Sequence, residues 1–126
     1  MTQTTARTYA ARAASTETFG RVLVSAREQH LIIDGPKPNG CPGEAITPPE
    51  AFLGAVASCG VELVQVIARE TNVPVKSVKI EIEGAVDRGN QKRKDVTLFN
   101  SVSLKFHIKG VSEKDGRTLV EAFKGR

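Results

Sequence analysis

Apolar positions between Thr47 and Glu70 recur with the period of a helix. Phe52, Val56, Cys59, Leu63 and Val66 form one stripe; Leu53, Ala57, Gly60, Val64 and Ile67 form a second beside it. Only Ser58, Glu62, Gln65 and Arg69 make a polar face, and it is narrow. A helix apolar over most of its circumference is expected to be buried. Its start is marked by Thr47 as cap, Pro48 at the first helical position and Glu50 three residues after the cap. Asn72 suits its end, and Pro74 forbids continuation. The uncharged run Ala51 to Val61 reads as too short and too interrupted for the roughly 20 apolar residues of a membrane crossing.

Other stretches alternate with period two. Val78, Ile80 and Ile82 alternate with Lys79, Glu81 and Glu83; Val102, Leu104, Phe106 and Ile108 alternate with Ser103, Lys105, His107 and Lys109. These predict two long antiparallel strands within residues 76 to 110, each with one face buried. The polar stretch between them carries Lys92-Arg93-Lys94. Gly20 to Ser25 and Leu31 to Ile33 predict a shorter hairpin over residues 20 to 34, turning at Arg27-Glu28-Gln29. Gly35 to Ile46 is rich in Pro and Gly and reads as a loop that holds Cys41. Ser112 with Asp115 marks the start of a second, short amphipathic helix through Leu119, Val120 and Phe123. Residues 1 to 18 have little pattern: a poorly ordered terminus or an edge strand near Thr8 to Ala13 is expected.

The order of elements predicts one α+β domain over residues 1–126, with antiparallel strands and helices on one face. A hairpin that faces one helix cannot wrap it. A second chain related by two-fold symmetry is therefore expected to cover the rest, giving a homodimer.

The formal net charge of +4 permits contact with anions without demanding it. The chain has no Trp and a single Tyr, which offers no stacking platform for single strands; no nucleic-acid partner and no membrane partner is expected. One Cys expected to be buried in the helix and one loop Cys suit a reduced, cytoplasmic protein. The acid-poor N-terminus with Arg7 and Arg12 faintly resembles an organellar transit peptide, a weaker reading than a frayed end.

Templates for metal and phosphate chemistry fail: His30 and His107 are far apart and sit at polar strand positions, and the chain has no HExxH, CxxC or Gly-rich phosphate loop. Lys92, Arg93 and Lys94 read as a solvated turn. Cys59 remains. A thiol reacts as the thiolate, which needs nearby positive charge or donors. A buried Cys is equally a small hydrophobe. Ala55, Ala57, Ser58 and Gly60 leave room for a reactant around the sulfur, or for close helix packing.

The frame Pro-x-Glu-x-x-x-x-Ala-x-Ala-x-Cys within TPPEAFLGAVASCGVELV resembles the OsmC/Ohr family of osmotically inducible and organic-hydroperoxide-resistance proteins. KSVKIEIEGAVDR and VSEKDGRTLVEAF support the likeness, which runs from about Gly20 to the end. The resemblance implies an OsmC-like α+β fold of two intertwined subunits with two buried helices back to back. It also implies a Cys-based peroxidase acting on hydroperoxides at the subunit interface, in oxidative-stress defence. The family's reactive cysteine maps onto Cys59, and no metal, flavin or haem cofactor is implied; a thiol or dithiol supplies reductant.

Three departures stand out. The resolving cysteine normally lies in a Cys-Pro pair of the second helix; here SEKDGRTLVEAFKGR lacks it, and the chain stops about where that pair would begin. The family's glutamate ten residues before the reactive Cys is Pro49, with Glu50 one residue later. The activating arginine comes from the N-terminal strands, where Arg21 is the nearest candidate and Arg27 the next. Cys41 is the only other thiol. It lies six residues before Thr47, while Cys59 lies roughly 18 Å along the helix, so the two meet in one chain only with the loop nearly straight. A crossed dimer offers another route. Cys41 is therefore expected to be a loop residue rather than the resolving thiol. A second function class stays open: a non-catalytic protein binding a small hydrophobic ligand at the dimer interface. A nucleic-acid module rests on charge alone.

Overall fold

The computed structural model describes residues 5–126, so the first four residues of the unpatterned N-terminal span lie outside the described residues. The chain forms two compact units, one ending at Ala51 and one running Phe52–Arg126.

The first unit is a three-stranded antiparallel sheet: β1 Arg12–Ser15, β2 Arg21–Ala26 and β3 Gln29–Asp34, in the order β1-β2-β3. The first strand lies later than Thr8 to Ala13, because the turn at 16–20 sets the register Ser15↔Val22. β2 and β3 join through the two-residue turn Arg27-Glu28, with Gln29 already paired to Ala26. Arg27 sits at φ 55°, and the Arg12 guanidinium donates to its carbonyl. The loop after β3 holds a single 3₁₀ turn, Lys37–Asn39, and returns to the sheet where Asp34 N–H donates to the Ile46 carbonyl.

The long helix α1 spans Pro48–Glu70 as expected. It ends in a left-handed residue, Asn72 at φ 58°, with the Val73 N–H closing onto the Ala68 carbonyl.

In the second unit β4 Ser77–Ala85 and β5 Ser101–Lys109 form a two-stranded antiparallel sheet in the register Ile80↔Phe106. The 15 residues between them are ordered by side-chain amides. Gln91 Oε1 accepts from Leu98 N–H at 2.7 Å, and Asn100 Nδ2 donates to the Asn90 carbonyl at 2.6 Å. Arg93 in this loop pairs with Asp95. α2, Glu113–Lys124, is capped by Ser112 Oγ, which accepts from Asp115 N–H.

The core gathers Val64, Ile67, Ala68 and Leu119 against Val78, Phe106, Ile108 and Phe123. Gly60 permits this approach, since a Cβ there would fall 2.6 Å from Ile80 Cδ1. Both helices thus pack on the inner face of β4–β5.

Two expectations need correction. The helix is not buried on most sides: only Gly60, Val64, Ile67 and Ala68 are buried, while Phe52 is 57% exposed and Cys59 is exposed. The sheet beneath it is two strands wide; Gly60, Val64 and Ile67 of the second stripe are buried, while Val56, Leu63 and Val66 of the first are half-buried. Nor is the helix too short for a membrane. The helix is 23 residues long, and an 18-residue window within it reaches a mean hydropathy of 1.8, because Glu62 alone is charged between Glu50 and Arg69. By length and composition it is able to span one.

Candidate functional site

The two-residue turn of the first hairpin places Arg21 directly across from Asp34. The guanidinium grips the carboxylate with two prongs, Nε to Oδ1 at 2.8 Å and Nη2 to Oδ2 at 2.9 Å. Asp34 is fully buried, and its Oδ2 also accepts the N–H groups of Glu44 at 2.9 Å and Ala45 at 3.0 Å. Glu44, 75% exposed at its side chain, touches Nη2 of Arg21 at 3.1 Å. The bond from Arg21, reinforced by the two backbone donors, holds the Asp34 carboxyl far below the usual carboxylate range against the opposing effect of burial. The same bonds, Asp34 first and Glu44 second, raise Arg21 above its ordinary value.

Asp34 and Glu44 were not among the residues expected from sequence. The signal was present: a two-residue turn at Arg27-Glu28 aligns positions whose numbers sum to 55, and 21 and 34 do so.

Cys41 lies in the loop after β3 and is half-buried. Its sulfur fills a niche between Gly20 and Gly35, where an added Cβ would fall 2.3 Å and 2.4 Å away respectively. Gly35 N–H donates to the Gly20 carbonyl at 2.7 Å, closing that niche. Both thiols are free.

Glu50 serves the start of α1. Its Oε1 accepts from Thr47 N–H at 2.9 Å and Thr47 Oγ1 at 2.7 Å, the returning half of a capping box. These bonds, the backbone one first, lower its pKa.

Cys59 is exposed on α1, in the stripe of exposed Phe52 and half-buried Val56, Leu63 and Val66. The neighbouring Ser58 hydroxyl donates to the Ala55 carbonyl at 2.8 Å. Two turns back from Cys59, Phe52 stacks on Phe99 with ring centroids 5.6 Å apart. A separate groove of about 440 Å³ runs between β5 and α2, with Phe106, Ile108, Val111 and Val120 as its apolar lining.

His30 is exposed and bonds Ser25 Oγ at 2.6 Å; His107 is partly covered, with Nε2 3.3 Å from Glu81 Oε1. Among the described residues no three His, Cys, Asp or Glu side chains gather to hold a metal.

A family model described as OsmC-like protein matches residues 41–125, a stretch that includes Cys41, Glu50 and Cys59. The chain belongs to the OsmC-like family. Solved structures agree in fold. An OsmC-like protein of Mycoplasma pneumoniae superposes with TM-score 0.77 at 15% identity, covering 95% of this chain and 82% of the other. An organic hydroperoxide resistance protein OsmC of Legionella pneumophila, described as a predicted redox protein and regulator of sulfide bond formation, superposes with TM-score 0.68 at 21% identity over 93% and 82%. An organic hydroperoxide resistance protein of Elizabethkingia anophelis, with thiocyanate bound, gives TM-score 0.71 at 15% identity over 96% and 84%. At these identities the likeness carries the OsmC-like fold. Among curated proteins none matches the chain in sequence.

Proposed function

We propose that this OsmC-like chain is a thiol-dependent peroxidase that reduces organic or inorganic hydroperoxides through Cys59. The observation that carries the reading is a free, exposed thiol midway along the helix, on a face otherwise apolar, in a family whose members include organic hydroperoxide resistance proteins. The Cys59 thiolate attacks the terminal peroxide oxygen. An S–O bond forms as the O–O bond breaks, and the alkoxide takes a proton to leave as the alcohol. A thiol or dithiol reductant then displaces water from the sulfenic acid, and a second thiol frees Cys59. Arg21 supplies positive charge to the thiolate and the peroxide. The protein works in the cytoplasm as a homodimer whose second copy covers the open stripe of α1.

Intact mass after one equivalent of an organic hydroperoxide tests this. Oxidation confined to wild-type protein and absent from Cys59→Ser supports it; peroxide consumption that survives in Cys59→Ser refutes it.

One observation favours a second reading, a non-catalytic protein that binds a small hydrophobic ligand. Arg21 already faces two carboxylates and Glu50 is held in the cap, so the groups expected to activate a thiol are engaged. Alkylation of Cys59 across pH separates the two. A reactive thiolate below pH 8 supports the peroxidase, and an inert thiol supports the binding protein.

A further inference from the structure

We infer that the β4–β5 loop, residues 86–100, is a docking surface for an anionic lipid bilayer. The inference goes beyond the peroxidase reading and does not depend on it. The sequence alone makes Lys92-Arg93-Lys94 a solvated turn and gives no reason to expect a membrane. The fold around that run changes the picture.

The loop holds a fixed shape. The Gln91 side-chain amide pairs with Leu98 as a strand neighbour would. Its Oε1 accepts from Leu98 N–H at 2.7 Å, and its Nε2 donates to the Leu98 carbonyl at 3.1 Å. The same Nε2 donates to the Asp87 carbonyl, and Asp87 N–H donates to Asn100 Oδ1 at 2.7 Å. The Gln91–Leu98 bridge thus closes off residues 92–97 as a tip.

The charge of the loop is unbalanced. It holds four cations, Arg88, Lys92, Arg93 and Lys94, and two acids, Asp87 and Asp95. Asp95 pairs with Arg93, Nε to Oδ1 at 3.0 Å, and Asp87 Oδ1 accepts from Gly89 N–H at 2.9 Å. Arg88, Lys92 and Lys94 are exposed and have no carboxylate partner among the described residues.

Aliphatic side chains stand among these cations. Val86, Val96 and Leu98 are exposed in the same loop. Lys92 and Leu98 line one hollow of about 450 Å³, so a cation and an aliphatic residue border the same space. An anionic bilayer surface satisfies both at once: its headgroups attract the cations, and its acyl boundary takes aliphatic side chains out of water. A nucleic acid would use only the charges. Phe99, the one aromatic ring of the loop, is stacked on Phe52. The amides of Gln91 and Asn100 are engaged inside the loop. Neither base stacking nor base readout is therefore on offer.

Vesicle sedimentation of the full chain tests this, with phosphatidylserine in phosphatidylcholine or with phosphatidylcholine alone. Wild-type protein is expected to sediment with the anionic vesicles, to stay free of the neutral ones, and to be released by high salt. Each cation at such a surface is worth roughly a 5-fold gain in partitioning, so Lys92→Gln with Lys94→Gln should lose roughly 25-fold. Leu98→Ser should lose roughly 5-fold. Lys76→Gln with Lys109→Gln removes the same charge at the other end of the two strands and should stay within about 3-fold of wild type. These side chains are all exposed, and thermal melts confirm that each variant folds.

A loss confined to the loop variants supports the inference. Equal binding to neutral vesicles overturns it, since that binding comes from the apolar stripe of α1. An equal loss in the two lysine pairs overturns it too, because net charge then does the work. So does tighter binding to a DNA duplex at equal phosphate concentration, lost in the same loop variant, which makes the loop a nucleic-acid surface.

Discussion

At the scale of single residues, the Arg21–Asp34 pair links fold stability to pH. Asp34 is depressed in the folded chain because Arg21 and two backbone donors favour its charged form. A carboxylate depressed on folding contributes stability above its unfolded pKa of about 3.9, and that contribution is lost as pH falls through the folded value. Asp34→Asn should therefore lower the melting temperature at pH 7, by on the order of 10 °C for a buried pair broken on one side. The difference between the two proteins should shrink as pH drops below about 4. Melts at pH 7, 4 and 2.5 check this, and a gap that stays constant with pH excludes the linkage. The residue-level site was partly legible. Thr47 and Glu50 stand in sequence at capping distance, and the helix period puts Cys59 on a defined stripe. Asp34 was not legible from its neighbours, because an acid after Leu31-Ile32-Ile33 reads as a strand end until the register is known. The packing of Cys41 was not legible for a related reason: its niche is made by Gly20 and Gly35, distant in sequence and joined only when the hairpin closes.

Among the elements, periodicity carried α1, β4, β5 and α2 close to their observed ends, because each buries one regular face. β1 was displaced since its four residues are all exposed, so no apolar pattern marks it. The closest contact between elements is at Gly60, and it yields a graded prediction. Gly60→Ala gains about 1 kcal/mol of helix propensity. Its Cβ would approach Ile80 Cδ1, the end of a flexible side chain, at 2.6 Å. A rotamer shift there costs roughly 0.5–1.5 kcal/mol, so the alanine variant should be near neutral. Gly60→Val adds branches that meet Phe123 and Phe106 as well, and should destabilise by about 1–3 kcal/mol. Urea melts of both variants check the order. A valine variant as stable as wild type would show that the helix does not press on the sheet at this point.

For the whole molecule, the two stripes of α1 meet different fates, and this decides what the chain needs besides itself. The stripe through Val64 is covered by β4–β5, whereas the stripe through Phe52, Val56 and Cys59 has no cover of equal extent. Each large apolar side chain left in water forgoes roughly 1.5–3 kcal/mol of burial. Between Glu50 and Arg69 the helix carries one charge, Glu62, so by length and composition it also fits a membrane. Two coverings are thus physically open, and they make different demands on Glu62. In a bilayer its carboxylate would face hydrocarbon at a cost of several kcal/mol, whereas at the edge of a protein interface it reaches water. That asymmetry favours a second copy of the chain. Light scattering at micromolar concentration should read a dimer in the soluble fraction. Val56→Asp, which sets an unpaired carboxylate inside the stripe, should cut soluble yield sharply and leave no stable dimer. A soluble wild-type monomer at that concentration, or wild-type protein that stays in the membrane fraction through a high-salt wash, would overturn the dimer and give the open stripe a different cover.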